Sequence, residues 1–285
     1  MRIVILGNND RGVRCLQALL VGGHDVAGVV AHPDPPTRPW YGSVKEAALA
    51  AGVPVIQPVK VSQDIDTLRR WRPELLVLAG YTQIIRRDLI DLAPRGAVNL
   101  HGGKLPEYRG ASVMNWQIIN GETEAGVSIL HVDEGVDTGD ILAQERFPIG
   151  PDDTIADLLA ETLERFPRML LDVLRKIEEG TLEAVAQNPA EGRTWPKRRP
   201  RDGRLDLAAG TARDVHNMIR ALTRPYPGAF IERDGRKVFI WKSRLATIPD
   251  AGECLLQCKD APLVVSDLTD ADGNPVSLPA DTHPA

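Results

Sequence analysis

Apolar residues fall in short blocks separated by amphipathic stretches along the first part of the chain. Residues 2–6 form an apolar run that ends at Gly7, as expected of a buried parallel strand. Residues 12–20 follow with Val13, Leu16, Leu19 and Leu20 on one side of a predicted helix. Residues 25–30 predict a second strand, and the proline-rich residues 32–37 a loop. Residues 43–51 predict a helix with Ser43 as its cap and Glu46 three positions on, a capping box. Further strands are predicted at 53–56, 75–78 and 97–100. Strands alternating with helices imply an α/β fold, a Rossmann-like parallel sheet covered on both faces. Ligands of such sheets sit beyond the carboxyl ends of the strands.

The pattern then changes. Residues 126–132 and 141–147 predict two partnered strands joined by a glycine-flanked connection. His131, in the first of them, reads as a packing or solvent-facing residue. Asp153 and Thr154 open a long amphipathic helix over 155–179, whose stripe includes Leu158, Phe166, Leu170 and Leu174. Pro167 inside it predicts a kink or an interruption. Residues 212–222 predict a helix, and 229–240 a hairpin around Asp234-Gly235. Residues 263–278 suggest another hairpin around Asp272-Gly273-Asn274, before a loose tail at 279–285. The chain thus divides into a main domain at 1–188, a linker at 189–203 and a small, mainly β domain at 204–285.

Composition narrows the class. The chain has 285 residues, 43% hydrophobic, with a net charge of -5. A polynucleotide binder draws most of its affinity from phosphate neutralisation and tends to be basic, so nucleic acid is not the expected partner. Three cysteines, Cys15, Cys254 and Cys258, make neither a disulfide framework nor a metal set, and no metal is expected. The N-terminus reads directly as a strand rather than a secretory signal, and no apolar run reaches membrane-spanning length. The expected location is therefore the cytoplasm, with no membrane partner. Any oligomer is expected to be a symmetric homodimer, on base rates alone. Arg193, Lys197, Arg198, Arg199, Arg201 and Arg204 cluster around Trp195. They read either as a solvated linker or as a diphosphate clamp. Residues 7–12 carry the outer glycines of a dinucleotide loop, but Asn9 replaces the middle one and would obstruct a pyrophosphate. Asn8 and Asn9 instead line an acceptor pocket or shape the turn.

The candidate chemistry lies at 99–110 and 135–140. Asn99 and His101 are two residues apart, so on a strand they point to one face. Asp137 sits in the Gly135-Val136-Asp137-Thr138-Gly139-Asp140 turn. An imidazole can take a proton from an attacking amine. An amide donor can hold the charge that grows on a carbonyl oxygen. A carboxylate can fix the imidazole and stabilise its protonated form. Each residue taken alone also fits a structural role, a satisfied histidine or an Asp turn.

The chain resembles the formyltransferases that use 10-formyltetrahydrofolate. That family carries Asn-x-His followed by Leu-Pro-x-Tyr-Arg-Gly, and a later Asp-x-Gly turn. Here these are Asn99, His101, residues 105–110 and Asp137. Asn115-Trp116, Asn120-Gly121-Glu122-Thr123 and Gly126-Val127-Ser128 also look like the family, and matching motifs run to about residue 245. One departure is Gly103-Lys104 where many members have Ser-Leu; Lys104 meets either substrate phosphate or solvent, with solvent favoured.

The resemblance implies 10-formyltetrahydrofolate as co-substrate, catalysis by Asn99, His101 and Asp137, and folate contacts at Tyr81, Gln83, Ile84, Ile85, Asp137 and Asp140. Two branches compete, enzymes acting on methionyl-tRNA and enzymes acting on nucleotide-linked amino sugars. The loop Trp40-Tyr41-Gly42-Ser43-Val44 and the segment 219–230 resemble the formyltransferase domain acting on UDP-4-amino-4-deoxyarabinose. The tail looks short for the complete five-stranded barrel of the tRNA enzymes. On the 40–44 loop and, less strongly because the tRNA enzymes share Pro-Gly-Ala-Phe there, on the 219–230 segment, the sugar branch is the expectation, with Asn8, Asn9, Tyr41, Ser43, Lys104, Arg109, Arg220, Arg224 and Tyr226 as candidate acceptor contacts. For the arginines, ion pairing is an equal alternative. Formyl-tetrahydrofolate hydrolysis and a non-catalytic binding module remain the other readings.

Overall fold

A computed structural model describes residues 1–35, 41–278 and 281–282. Seven strands build the main sheet: β1 (Arg2–Gly7), β2 (Asp25–Ala31), β3 (Val55–Ile56), β4 (Leu75–Ala79), β5 (Ala97–His101), β6 (Glu124–His131) and β7 (Ile141–Pro148). Their order across the sheet is β3-β2-β1-β4-β5-β6-β7. Pairing is parallel from β3 through β5. β6 then joins antiparallel to β5, placing Leu130 opposite Asn99 and Ser128 opposite His101. The sheet is thus mixed, and the antiparallel strand flanks the strand that carries Asn99 and His101.

The helices follow the hydrophobic pattern. Helix α1 (Asn9–Val21) starts three residues before the predicted point, because its first turn is polar and gives no apolar periodicity. Asn8 is extended at φ -150. Asn9 has φ 51, and its side chain accepts the Arg11 N–H at 3.0 Å. These two residues shape the turn, as one of their two predicted readings had it. A Cβ on Gly12 would lie 3.1 Å from the Gly7 Cα, so the glycine pair lets α1 pack tightly onto β1. Helix α2 (Val44–Ala50) is capped as predicted, with the Ser43 hydroxyl accepting from the Glu46 N–H at 3.2 Å. α3 (Ile65–Trp71), the short α4 (Arg87–Ile90) and α5 (Val113–Ile119) follow.

Helix α6 (Ile155–Glu179) runs unbroken through Pro167, so the predicted interruption does not occur. Phe166, Met169, Leu170, Val173 and Leu174 are all buried around it. Burial of such side chains contributes about 2 kcal/mol each, which outweighs one lost backbone hydrogen bond. No described helix is long and apolar enough to cross a membrane.

Residue contacts divide the chain into two compact units. One comprises Met1–Gly110, Gly126–Arg146 and Glu161–Thr194, and the other Ala111–Ala125, Phe147–Ala160 and Trp195–Ala285. In the first, Val4, Leu6, Val30, Leu76, Leu78 and Leu89 anchor one face of the sheet. In the second, helix α7 (Ala212–Leu222) lies where it was predicted, with a reciprocal capping box of Thr211 and Asp214. It packs with a sheet of β8 (Ala229–Arg233), β9 (Arg236–Arg244), β10 (Cys254–Gln257), β11 (Pro262–Thr269) and β12 (Asp281–Thr282), ordered β8-β9-β11-β10-β12. Asp234 and Gly235, at φ 50 and 71, make the predicted hairpin turn. Five strands are present where the tail looked too short for them, because β10 and β12 span only four and two residues. The second predicted hairpin is reduced to a bridge from Thr269 to Pro275, and β11 pairs instead with β9 and β10.

Candidate active site

Strand β5 ends in the Asn99-Leu100-His101 sequence, and the turn after β6 brings Asp137 to it. Asn99 Nδ2 donates to Asp137 Oδ1 at 3.1 Å. His101 Nδ1 lies 3.4 Å from Asp137 Oδ2. The backbone N–H of Gly110 donates to the same Oδ2 at 2.9 Å. The spacing of two along a strand is what lets one carboxylate meet both side chains. His101 is only 6% exposed, and its Nε2 lies 2.5 Å from the Tyr108 carbonyl. A carbonyl accepts only, so Nε2 carries a proton in this arrangement.

A pocket of about 200 Å³ opens at this cluster. Tyr81, Gln83, Ile84, Ile85 and Asp137, five of the six predicted folate contacts, line it together with Asn99. Gln83 lines it while its amide is committed elsewhere, accepting from Val61 N–H at 3.0 Å and donating to Val59 O at 3.1 Å. Asp140 is exposed and not among the lining residues; its carbonyl accepts the His131 N–H at 2.9 Å. His131, read from sequence as packing or solvent-facing, borders the pocket. The pocket's apolar floor includes Leu78, Ile85 and Leu130. Tyr81 stacks on His32 with ring centroids 4.4 Å apart. Burial pushes the Tyr81 phenol up to about 12 and holds the His32 imidazole below its ordinary value. The Tyr81 hydroxyl is buried with no hydrogen-bond partner among the described residues. A slot with an apolar floor and polar groups along its rim fits a flat ligand that carries polar atoms on its edge.

The candidate acceptor contacts separate. Trp40 lies outside the described residues. Tyr41 is partly buried, and Gly42 N–H anchors the loop to Asp10 at 2.8 Å. Ser43, besides capping α2, donates to Asp34 at 3.0 Å. Lys104 is only 9% exposed, which overturns the solvent reading; its Nζ lies 5.8 Å from the Tyr108 ring centre. Arg109 is buried and donates through Nε and Nη2 to Gln187 Oε1 at 2.9 and 2.8 Å, so it has a protein acceptor in place of a phosphate. Arg224 follows the ion-pairing alternative, bonding Asp267 at 2.7 Å and lying over the Trp241 ring. Tyr226 borders a second pocket, of about 140 Å³, with Arg198 and Arg199.

Arg220 matches neither predicted reading. It is buried and donates to Asn217 Oδ1 at 3.0 Å, Asp153 O at 2.7 Å and Gly150 O at 3.3 Å. Burial lowers its pKa, and the backbone carbonyls keep it charged and satisfied. We predict that Arg220→Ala lowers unfolding stability by about 3 kcal/mol in a denaturant titration, because several charge-assisted bonds are lost inside the protein. A wild-type unfolding midpoint would overturn this role. In the basic cluster, Arg198 lies half-buried over the Trp116 ring at 4.7 Å, and Trp195 packs against Trp116 at 5.0 Å. Trp195 thereby covers the core.

A mixed sheet that gathers an amide, an imidazole and a carboxylate beside an apolar slot defines an acyl-transfer enzyme in form. Residues 1–174 match the formyl transferase family, and residues 197–280 match the formyl transferase C-terminal domain. The chain belongs to that family and is an enzyme that transfers formyl groups. It is 37% identical over 272 residues to a methionyl-tRNA formyltransferase of Solibacter usitatus (strain Ellin6076), covering 93% of this chain and 87% of that one. Its fold is similar to that of WlaRD, a sugar 3N-formyl transferase solved in the presence of dTDP and 5-N-formyl-THF. The TM-score is 0.72 at 22% identity, covering 95% of this chain and 98% of that one. An N-formyltransferase from Helicobacter canadensis, in complex with folinic acid and dTDP-3-aminofucose, overlays with a TM-score of 0.71 at 21% identity. That match covers 94% of this chain and 99% of the other.

Proposed function

We propose that this protein moves a formyl group from 10-formyltetrahydrofolate to the amine of a nucleotide-linked amino sugar. The observation that carries formyl transfer is the joining of Asn99, His101 and Asp137 at the end of the apolar slot. For the acceptor, support comes from the overlay along nearly the whole length of two sugar enzymes, and from the net charge of -5. The sequence relative at 37% identity favours methionyl-tRNA as the second reading. In either case the chemistry lies in the unit of Met1–Gly110, Gly126–Arg146 and Glu161–Thr194, and Trp195–Ala285 belong to the smaller unit with Ala111–Ala125 and Phe147–Ala160. We place the protein in the cytoplasm, with any oligomer a symmetric homodimer.

The donor supplies an activated formyl carbon, held in the slot between the Tyr81 to Ile85 and Asp133 to Asp137 segments. Asn99 has two amide hydrogens, one given to Asp137 and one left for the formyl oxygen. The neutral amine attacks the carbon, and Asn99 holds the negative charge that forms on the oxygen. His101 takes the amine proton at Nε2 in the tautomer whose single hydrogen lies on Nδ1 toward the Asp137 carboxylate, a state in which Nε2 has given up the Tyr108 carbonyl and is free to accept. His101 then returns the proton to the folate nitrogen, whose bond to the formyl carbon breaks. The products are the formamide and tetrahydrofolate, and no net proton is consumed.

The deciding assay offers 10-formyltetrahydrofolate with a panel of nucleotide-linked 3-amino and 4-amino sugars, dTDP-3-aminofucose among them, beside methionyl-tRNA. Formylation of an amino sugar without formylation of tRNA is the expected result. Formylation of tRNA alone overturns the sugar acceptor and leaves formyl transfer standing. Formate release unchanged by any acceptor would make the protein a hydrolase.

A further inference from the structure

Asp137 occupies the left-handed region of backbone space, at φ 53. Aspartate enters that region more readily than most side chains, and here its surroundings hold it there. Two side chains outside the proposed catalytic set provide that hold. Gln187 Nε2 donates to the carbonyl oxygens of Asp137 and Gly139 at 2.9 and 2.7 Å. Gln187 Oε1 receives two hydrogen bonds from Arg109. Gly110, next along from Arg109, donates its N–H to the Asp137 carboxylate. The circuit is closed, with the backbone beside Arg109 fixing the carboxylate and its guanidinium fixing Gln187. Gln187 in turn fixes the carbonyls of the turn.

The direction of these bonds is forced. A guanidinium has donors only, so it turns the glutamine oxygen toward itself and the NH2 group toward the two carbonyls. A glutamate at 187 would satisfy Arg109 equally well and offer nothing to the turn. We propose that Gln187, locked by Arg109, is a positioning residue that sets Asp137 against His101 and Asn99. This rests on the catalytic role of Asp137 proposed above. The same circuit gives the buried Arg109 two of its hydrogen bonds, both to Gln187 Oε1.

The test is Gln187→Glu in the full-length protein, assayed with 10-formyltetrahydrofolate and the acceptor that the panel turns over. We expect kcat to fall about tenfold to a hundredfold, the scale of a small misplacement of a catalytic group. Both KM values should stay within about twofold, because neither substrate is touched. Added to Asp137→Asn, the change should cost no further activity, because it acts through the same carboxylate. A crystal structure of the variant should show the Asp137 carboxylate displaced from the Gly110 N–H. If Gln187→Glu does not fold, Gln187→Met is judged by the same criteria. Normal kcat in the variant, with Asp137→Asn inactive, overturns the positioning role and leaves the proposed function intact. A raised KM or lowered stability with kcat kept overturns it too, since the residue is then only structural. A multiplied loss in the double variant also overturns it. Near-normal kcat in Asp137→Asn overturns the catalytic reading, and the positioning role falls with it.

Discussion

Asn99→Ala and His101→Ala should each lower kcat roughly a hundredfold to a thousandfold, the usual consequence of removing a preorganised donor or base. The two losses have different origins. Asn99→Ala removes the donor at the growing oxyanion and also one of the bonds that hold the Asp137 carboxylate. His101→Ala removes the only imidazole that touches that carboxylate among the described residues. Neither side chain supports the fold broadly, since β5 is held by its ladders to β4 and β6. Thermal unfolding should therefore change little. KM for 10-formyltetrahydrofolate should also be kept, because the slot has most of its surface on the 81–85 and 133–137 segments. Steady-state kinetics with each substrate varied separately is the measurement. Near-normal turnover in either variant would remove that residue from the mechanism.

Gly103→Ala should disable the enzyme through geometry alone. A Cβ at 103 would lie 2.4 Å from the Tyr108 carbonyl oxygen and 2.8 Å from His101 Nε2. Both contacts are far inside van der Waals range, and one of them is with backbone. The methyl group must push the 103–108 turn away, and with it the carbonyl that faces His101. That turn is also pinned by Ser128, whose hydroxyl donates to Gly103 O at 2.8 Å, and by Gln144, which donates to Leu105 O at 2.9 Å. It has little room to yield. We expect a destabilisation of about 2 kcal/mol, typical of overpacking. With the imidazole displaced, kcat should fall at least about tenfold. Denaturant titration and single-turnover kinetics check the two parts separately. Wild-type turnover would show that the turn does not set the imidazole.

Local signals carried much of the architecture. The Ser43 cap, the Thr211 to Leu222 helix and the Asp234-Gly235 turn each depend on a few neighbouring residues, and each lies where the pattern put it. The Asn99, His101 and Asp137 cluster was legible because strand periodicity and a family motif point the same way. The misses share a cause. Lys104 and Arg220 are cations whose burial depends on partners far along the chain or around it, and composition favours the surface for both. Gln187 lies in a stretch without periodicity, so nothing marked it as the partner of Arg109 and of the Asp137 turn. β10 and β12 are too short to show alternation; β10 exists because β11 offers an edge, and β12 because β10 offers the next one.

The sequence by itself determined the α/β order, the strand that carries Asn99 and His101 and the residue types at its end, because spacing and residue type act over a few positions. The tertiary structure decided which charges are interior, which glutamine holds the aspartate, and that the slot meets the carboxylate. Those outcomes depend on hydrogen bonds made between residues 50 to 78 positions apart, as for Gln187 with Asp137 and with Arg109. Only the folded chain brings such groups within 3 Å, where a donor finds its acceptor and a buried charge becomes tolerable.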